Sequence, residues 1–547
     1  MPRGRGLLRG RPRGDGRRRR ERGGRRGGGP DGRGRHVDRA RRRRAARRAG
    51  PRRRPPGRGR DGRRPAPSRP ARAGGPTGVC ARARAPPGVD PSGGTPVSTP
   101  LRVLFATSEV APLVKVGGLG DVAQALPKAL AARGHRVDLV LPGYAGLPAG
   151  RPVGTVPVAA GRVRARFHVT DLGDHDGVRY LTLGSDTHPD WERPKGYVER
   201  HLASFVLFSR AVAELATHPG HRPDAVHCND WHVGHVPAEL RRRPAAPRSV
   251  LTIHNLAYQG LFPYDKATEL GLTGYGTGNL LAQGIRYADA VTTVSPRYRD
   301  ETLTPAHGSG LHHLLRSRGG DYHGILNGVD YHHFDPSTDR FLPARYDVDD
   351  LAGKAVDRAA LQRASGLPVD PDVPLFAFVG RLVPQKGVEA LLEGIDEIAA
   401  LGIQLVVVGT GAGYERAFVR AARWHPGVAF HPDSGEAAAR LAYAGSDAFL
   451  APSRYEPCGL APLIALRYGS VPVVRRVGGM AETIGESGLG IAYDGDRPAD
   501  LVAAVRAAVT RHADTAGWAA LRDRGMRARF TWDDAARRYE ALYRPAD

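Results

Sequence analysis

The chain has 547 residues, three cysteines and a formal net charge of +27, but the charge sits almost wholly in residues 1–100, where 32 Arg and no Lys face 6 acidic residues. The remainder is nearly neutral, so the basic balance describes a tail and not the body. Cys80, Cys228 and Cys458 stand far apart with no Cys-x-x-Cys pair, and no run of about 18 apolar residues occurs, which excludes a disulfide scaffold, a thiolate zinc site and a transmembrane helix and predicts a reducing cytoplasm.

Arg, Gly and Pro dominate the first 100 positions. Such a segment cannot bury enough apolar surface to offset the entropy of ordering its backbone, so a disordered tail is expected. No apolar stretch follows the basic start, which argues against a secretory signal, and Ser68, Ser92 and Ser98 are too few serines for a plastid transit peptide. Arginines neutralise phosphates, but residues 1–100 hold no Phe, Tyr or Trp to stack on bases. Any nucleic-acid contact is therefore confined to this tail. With 76 Arg against 6 Lys in the whole chain, the tail is read as translated upstream sequence, and a native start near Val97 is expected.

From Leu101 the texture changes. Residues 102–107 are a short apolar run predicted as a strand, and a glycine-rich turn follows at Gly117, Gly118 and Gly120. Residues 121–133 carry Val122, Ala125, Leu126 and Leu130 at helical spacing before Gly134 closes the helix. Residues 137–141 form a second buried strand and complete a βαβ unit. Further apolar runs predict strands at 225–228, 250–253 and 290–294. A polar stretch with Pro and Asp, 335–373, reads as a linker containing one helix at 354–364. A second series follows, with strands at 375–379, 404–408, 428–430, 448–451 and 471–474 and helices at 388–401, 437–443, 463–468 and 501–509. An amphipathic helix at 532–543 comes last. Strands interleaved with helices imply parallel sheets covered on both faces. The expected fold is α/β, with two doubly wound Rossmann-like domains (101–334 and 374–525) facing across a cleft and preceded by the disordered Arg/Gly/Pro-rich tail. Ligands in such sheets bind beyond the carboxyl ends of the strands.

Three strand-end loops carry chemistry. In Lys115-Val-Gly-Gly-Leu-Gly-Asp121, glycines at a helix N-terminus open backbone N–H groups and the positive end of the dipole to an anion, and Lys115 adds a point charge. In Gly380-Arg381-Leu-Val-Pro-Gln-Lys386-Gly387, two cations five residues apart can clamp a diphosphate. In Glu456-Pro-Cys458-Gly459-Leu460, a carboxylate stands beside backbone donors at another helix N-terminus, where it suits sugar hydroxyls better than phosphate. Together these describe a nucleotide-sugar diphosphate site.

These loops, with Asn229-Asp230-Trp231-His232, His254-Asn255-Leu-Ala-Tyr-Gln-Gly260, Asn327-Gly-Val-Asp330 and Arg475-Arg-Val-Gly-Gly479, resemble the ordered motif set of bacterial glycogen synthases and plant starch synthases, from about Leu101 to the C-terminus. The resemblance implies a GT-B fold, ADP-glucose as donor, an α-1,4-glucan such as glycogen as acceptor, retention of anomeric configuration, and no metal or other cofactor. It also implies a last helix that crosses back to the first domain. By position, Lys115 matches the nucleotide-sugar-binding lysine, with Gly117, Gly118 and Asp121 in the same motif. His254 and Asn255 match the pair near the transferred glucose, and Arg381 and Lys386 the diphosphate-binding cations. Glu456 and Cys458 match residues of the glucose pocket, beside Gly459 and Leu460, and Asp230, His232 and Asn327 match pocket-lining positions.

Charge grows on the diphosphate as the donor bond breaks, and fixed cations there make a magnesium ion unnecessary. No carboxylate nucleophile presents itself, so a front-face transfer is favoured over a covalent glycosyl-enzyme. Two departures stand out. Ala461-Pro462 replaces the family's Thr-Gln, and the segment 191–200 is a shortened form of an Arg-Pro-Gly stretch, which bears on acceptor contacts. Four Asp-x-Asp pairs (Asp174/Asp176, Asp347/Asp349, Asp370/Asp372 and Asp494/Asp496) lie among turn-forming residues and are read as turns, not metal ligands. The pairs His312/His313 and His332/His333 are read as surface residues, and Cys458 as a small pocket-lining residue. Two other readings remain open: a GT-B glucosyltransferase using UDP-glucose or another acceptor, and a non-catalytic glucan- or RNA-binding protein.

Overall fold

The computed structural model describes residues 99–185, 202–411, 413–432 and 435–545. The basic tail, with its expected disorder and nucleic-acid contact, lies outside the described residues, as does the segment 191–200.

The first sheet contains nine strands: β1 (Arg102–Ala106), β2 (Arg136–Pro142), β3 (Arg151–Ala160), β4 (Val163–His175), β5 (Val178–Gly184), β6 (Ala225–Asn229), β7 (Arg248–Ile253), β8 (Ala290–Thr293) and β9 (Tyr322–Gly324). Their order is β3-β4-β5-β2-β1-β6-β7-β8-β9. β1 is central, with Val103 opposite Val137 on one side and Ala225 on the other. β6 is buried at every residue, as a strand covered on both faces must be. The antiparallel edge β3–β4–β5 is not among the strands read from the sequence. Its inward set is Val156, Val158 and Ala160 on β3, alternating with the exposed Pro157 and Ala159, and Ala165, Phe167 and Val169 on β4, alternating with Arg164, Arg166 and His168.

The second sheet contains β10 (Leu375–Val379), β11 (Gln404–Val408), β12 (Val428–His431), β13 (Ala448–Ala451), β14 (Val471–Arg475) and β15 (Ile491–Tyr493), all parallel, in the order β12-β11-β10-β13-β14-β15. The single helix expected at 388–401 is two, Val388–Glu393 and Ile395–Ala399. They are divided at Gly394, where a Cβ would lie 3.0 Å from Val502 of the overlying helix Pro498–His512. In each sheet the chain first builds outward on one side of a central strand and then returns to the other. The switch points fall between β1 and β6 and between β10 and β13, the places where such sheets open a crevice at the strand carboxyl ends.

The last helix, Trp532–Tyr543, follows the second sheet in sequence but packs on the first, against the helix Gly118–Ala132. Its Tyr539 and Tyr543 are buried in the first lobe's core. His227 on β6 is fully buried between Tyr543, whose hydroxyl is 2.8 Å from Nδ1, and Thr252, 2.7 Å from Nε2. Glu540 meets His135 at 2.8 Å and also pairs with Arg133. The chain therefore passes between lobes twice, and the two crossings are tied together: Val329 N–H donates to the carbonyl of Phe530.

Candidate active site

Beyond β1 the chain turns on Glu109, which is buried and accepts from the backbone N–H of Val116 (2.7 Å) and Gly117 (3.0 Å). That carboxylate folds the glycine loop onto the start of the helix Gly118–Ala132. The loop is tight, since a Cβ at Gly120 would lie 3.2 Å from Lys115 Cγ. Lys115 Nζ reaches Asp121 at 2.7 Å, and both remain partly exposed to the cleft.

After β6 comes Asp230, with φ 60° and ψ −176°, a region that non-glycine residues occupy at a cost of about 1–3 kcal/mol. The turn aims its buried carboxylate at the loop after β7, where Oδ1 accepts from His254 N–H at 2.7 Å and Asn255 N–H at 3.4 Å. Burial raises its pKa to about 7, against the lowering effect of those two bonds. Asn229 Nδ2 donates to the carbonyl of Ala106, so its Oδ1 faces His254 Nε2 at 3.0 Å and requires that nitrogen to carry the proton. Burial lowers the His254 pKa to about 3, so the ring is neutral at physiological pH and its Nδ1 is an acceptor.

On the second lobe Arg381 follows β10. Its Nη1 contacts the Tyr258 hydroxyl at 3.5 Å, and its Nη2 contacts Gln385 Oε1 at 3.4 Å. Gln385 Oε1 also accepts from Asn255 Nδ2 at 3.4 Å, which links the lobes across the cleft. Lys386 Nζ donates to Glu456 Oε2 at 2.5 Å, and Ser453 donates to the same oxygen at 3.0 Å. Gly459, at φ 88°, caps the helix Leu460–Arg467, and a Cβ there would lie 2.6 Å from Met480 Cγ. Pro462 is the third residue of that helix, where its missing N–H costs no intrahelical bond. Cys458 is buried, and burial pushes its thiol pKa up to about 12, so it is an inert lining group.

These loops surround one cavity of about 490 Å³. Lys115, Gly117, Gly118, Asp121, Asp230, His254, Asn255, Asn327, Arg381, Lys386, Glu456, Cys458, Gly459 and Leu460 all line it. His232 does not: it is buried with its ring stacked on Trp231, centroids 4.0 Å apart. Asn327 is buried with Oδ1 lacking any hydrogen-bond partner among the described residues, so an acceptor is left on the cavity wall. Among the described Asp-x-Asp pairs, Asp347 and Asp370 accept from the backbone N–H two residues on, as turn formers do.

The sequence reading assigned no role to Glu109, Asn229 or Gln385, although Asn229 and Gln385 lie inside quoted motifs and Glu109 stands six residues before one. It also missed a wall formed by Phe334, Glu436, Arg440 and Tyr443. Arg440 is fully buried there, held by Asp339 (2.9 Å), Glu436 (2.6 Å) and the His333 carbonyl (2.7 Å). No local signal distinguishes Glu436 and Arg440 from the ordinary polar face of the helix Glu436–Gly445.

Two doubly wound lobes, with phosphate-type cations on one side of a cleft and sugar-type hydrogen-bonding groups on both, define a GT-B glycosyltransferase. Comparison with known proteins narrows the class. Residues 102–317 match the starch synthase catalytic domain family and residues 373–511 the glycosyl transferases group 1 family. A glycogen synthase of an Anaeromyxobacter species is 43% identical over 481 residues, covering 81% of this chain and 99% of the relative. Glycogen synthase 1 of Methylococcus capsulatus is 39% identical over 486 residues, covering 82% of this chain and 97% of the relative. The solved catalytic domain of starch synthase IV from Arabidopsis thaliana, bound to ADP and acarbose, matches with a TM-score of 0.76 at 31% identity, covering 81% of this chain and 99% of that one. The chain belongs to the glycogen and starch synthase family, and it is an enzyme of glycogen or starch synthesis.

Proposed function

We propose that the cleft transfers glucose from ADP-glucose to the non-reducing end of an α-1,4-glucan with retention of configuration. The observation that carries this reading is convergence: Arg381, Lys386 and the N-termini of the helices Gly118–Ala132 and Leu460–Arg467 meet at one cavity from opposite lobes. A sugar diphosphate is the ligand class whose charge fits that set, and its hexose would lie toward Glu456, His254 and Asn327. The family membership and a relative solved with ADP support the adenine nucleotide.

In the reaction the bond from the anomeric carbon to the β-phosphate oxygen breaks, and a bond from that carbon to the acceptor O4 forms on the same face. The acceptor proton passes to the departing phosphate. Negative charge grows on the diphosphate during this step, and Arg381, Lys386 and the helix N-termini are fixed where it grows. His254, held by Asn229 and Asp230, offers its Nδ1 to a donor-sugar hydroxyl. A cytoplasmic setting suits the buried free thiols Cys228 and Cys458.

Labelled ADP-glucose and UDP-glucose, each mixed with glycogen and the protein, test the reading. Label is expected to enter glycogen from ADP-glucose and far more slowly from UDP-glucose. Incorporation from UDP-glucose alone, or from neither, refutes the donor assignment.

A further inference from the structure

Away from the cleft, the helices Val388–Glu393, Ile395–Ala399 and Glu415–Trp424 frame an open groove of about 560 Å³ on the second lobe. Trp424 lines it and is 80% exposed, whereas Trp231, Trp518 and Trp532 are 2%, 6% and 8% exposed. The helix Glu415–Trp424 already satisfies its inner face with Phe418 and Ala421, so Trp424 is not a core residue left uncovered. An indole this exposed is unusual on a protein surface. His425 Nε2 meets Asp396 Oδ1 at 2.8 Å, which pins the end of this helix to the opposite wall and fixes the platform. Arg420 stands one helical turn before Trp424, on the same face, and no described residue pairs with it.

We propose that this groove is a second glucan-binding site, in which Trp424 stacks on the pyranose face of an α-1,4-glucan chain while Arg420, Glu393 and Asp396 bond its hydroxyls. The proposal rests on the reading that the acceptor is such a glucan. Three features select this occupant. A pyranose ring has a C–H face for a flat aromatic surface and a rim of hydroxyls that both donate and accept. The groove supplies one flat ring within a rim of both charge signs. An anion would be opposed by the two carboxylates, and a protein partner would call for a wider continuous apolar patch than Trp424 and half-buried Leu392 provide.

The position gives the site its purpose. Ala399 and Trp424 end their helices just before β11 and β12 begin, so the groove lies toward the amino ends of strands whose carboxyl ends face the cleft. At roughly 3.3 Å per residue the two sites are at least a strand length apart, about 15 Å. A long glucan held at Trp424 keeps its other ends near the cleft at high effective concentration, and a short oligosaccharide gains nothing from it.

The test uses the full chain with Trp424→Ala and Trp424→Tyr. Glycogen binding is read without donor, by mobility in glycogen-containing native gels, and turnover is read with glycogen and separately with maltotriose. Trp424→Ala is expected to move faster in the gel and to need roughly tenfold more glycogen for half-saturation. Its kcat and its maltotriose saturation are expected to match wild type, and Trp424→Tyr should restore glycogen binding. Wild-type glycogen binding by Trp424→Ala overturns the site, and so does an equal loss toward glycogen and maltotriose. A changed sedimentation coefficient with unchanged glycogen binding marks a self-association face instead and also overturns it. Failure of the donor assignment would show as absent transfer by the wild type, while gel mobility would still report on the groove.

Discussion

Lys386 and Glu456 lie 70 residues apart in sequence and form one ion pair at the cavity wall, with Nζ 2.5 Å from Oε2. The sequence reading directed the lysine to phosphate and the glutamate to sugar. The pairing places both tasks at one point, so the cation is oriented before any ligand arrives and Glu456 holds its acceptor role beside it. Such preorganised charge contributes most where negative charge develops during bond cleavage.

Lys386→Ala and Arg381→Ala are each expected to lower kcat by two to three orders of magnitude, about 3–4 kcal/mol of transition-state stabilisation. Steady-state rates with saturating donor check this. Near-normal turnover in either variant removes that residue from the charge-stabilising set.

Gly459→Ala is expected to lower unfolding free energy by about 1–3 kcal/mol, since φ 88° suits glycine and the new Cβ would press on Met480. Turnover should fall as well, because the displaced backbone carries Cys458 and Leu460 on the cavity wall. Urea unfolding of wild type and variant side by side gives the number, and equal midpoints would contradict the strain argument.

Acid should unfold this protein through its interior histidines. Burial lowers His227, His232 and His254 to about 3 from the ordinary 6.5. Between those values the unfolded chain binds protons that the folded chain refuses, so stability is full above about pH 6.5 and is lost as pH falls toward 3. His227→Gln is expected to reduce that slope by about 1.4 kcal/mol per pH unit. Denaturant melts at pH 7, 6, 5 and 4 measure it, and parallel slopes in the two proteins would count against a neutral buried His227.

Glucosyl transfer is expected to persist in excess EDTA, because Arg381 and Lys386 take up the charge on the leaving diphosphate. Activity that vanishes with chelator and returns with magnesium would show that the two cations are insufficient.

The site was more legible than the scaffold around it. Loops such as 115–121 and 380–387 announce themselves because glycine and scarce lysine at a strand end have few purely structural reasons to coincide. Glu109 and Asn229 were hidden in plain sequence: their work is to hold Gly117 and His254, and a lone carboxylate or amide gives no sign of what it will accept from or donate to. The edge strand β4 escaped because Arg164, Arg166 and His168 interrupt its apolar residues, although the alternation with Ala165, Phe167 and Val169 is the signature of a half-covered strand, and β3 escaped because Pro152, Gly154 and Pro157 punctuate it as a loop would. His232 was misplaced by its motif, since neighbours in sequence at the end of β6 point in different directions: Asp230 toward the cavity and His232 onto Trp231. The helix divides at Gly394, where the close approach of Val502 leaves little room for a side chain, a contact no local pattern encodes.

The placement of Tyr539 and Tyr543 against His227 has a bearing on how the molecule is made. A ribosome finishes β1 to β9 long before it reaches these tyrosines, so the first half of the polypeptide waits, with part of its interior unsealed, until synthesis is nearly complete. A premature stop or proteolytic clip after residue 531 would leave a hole in the portion translated earliest, not merely shorten the far end.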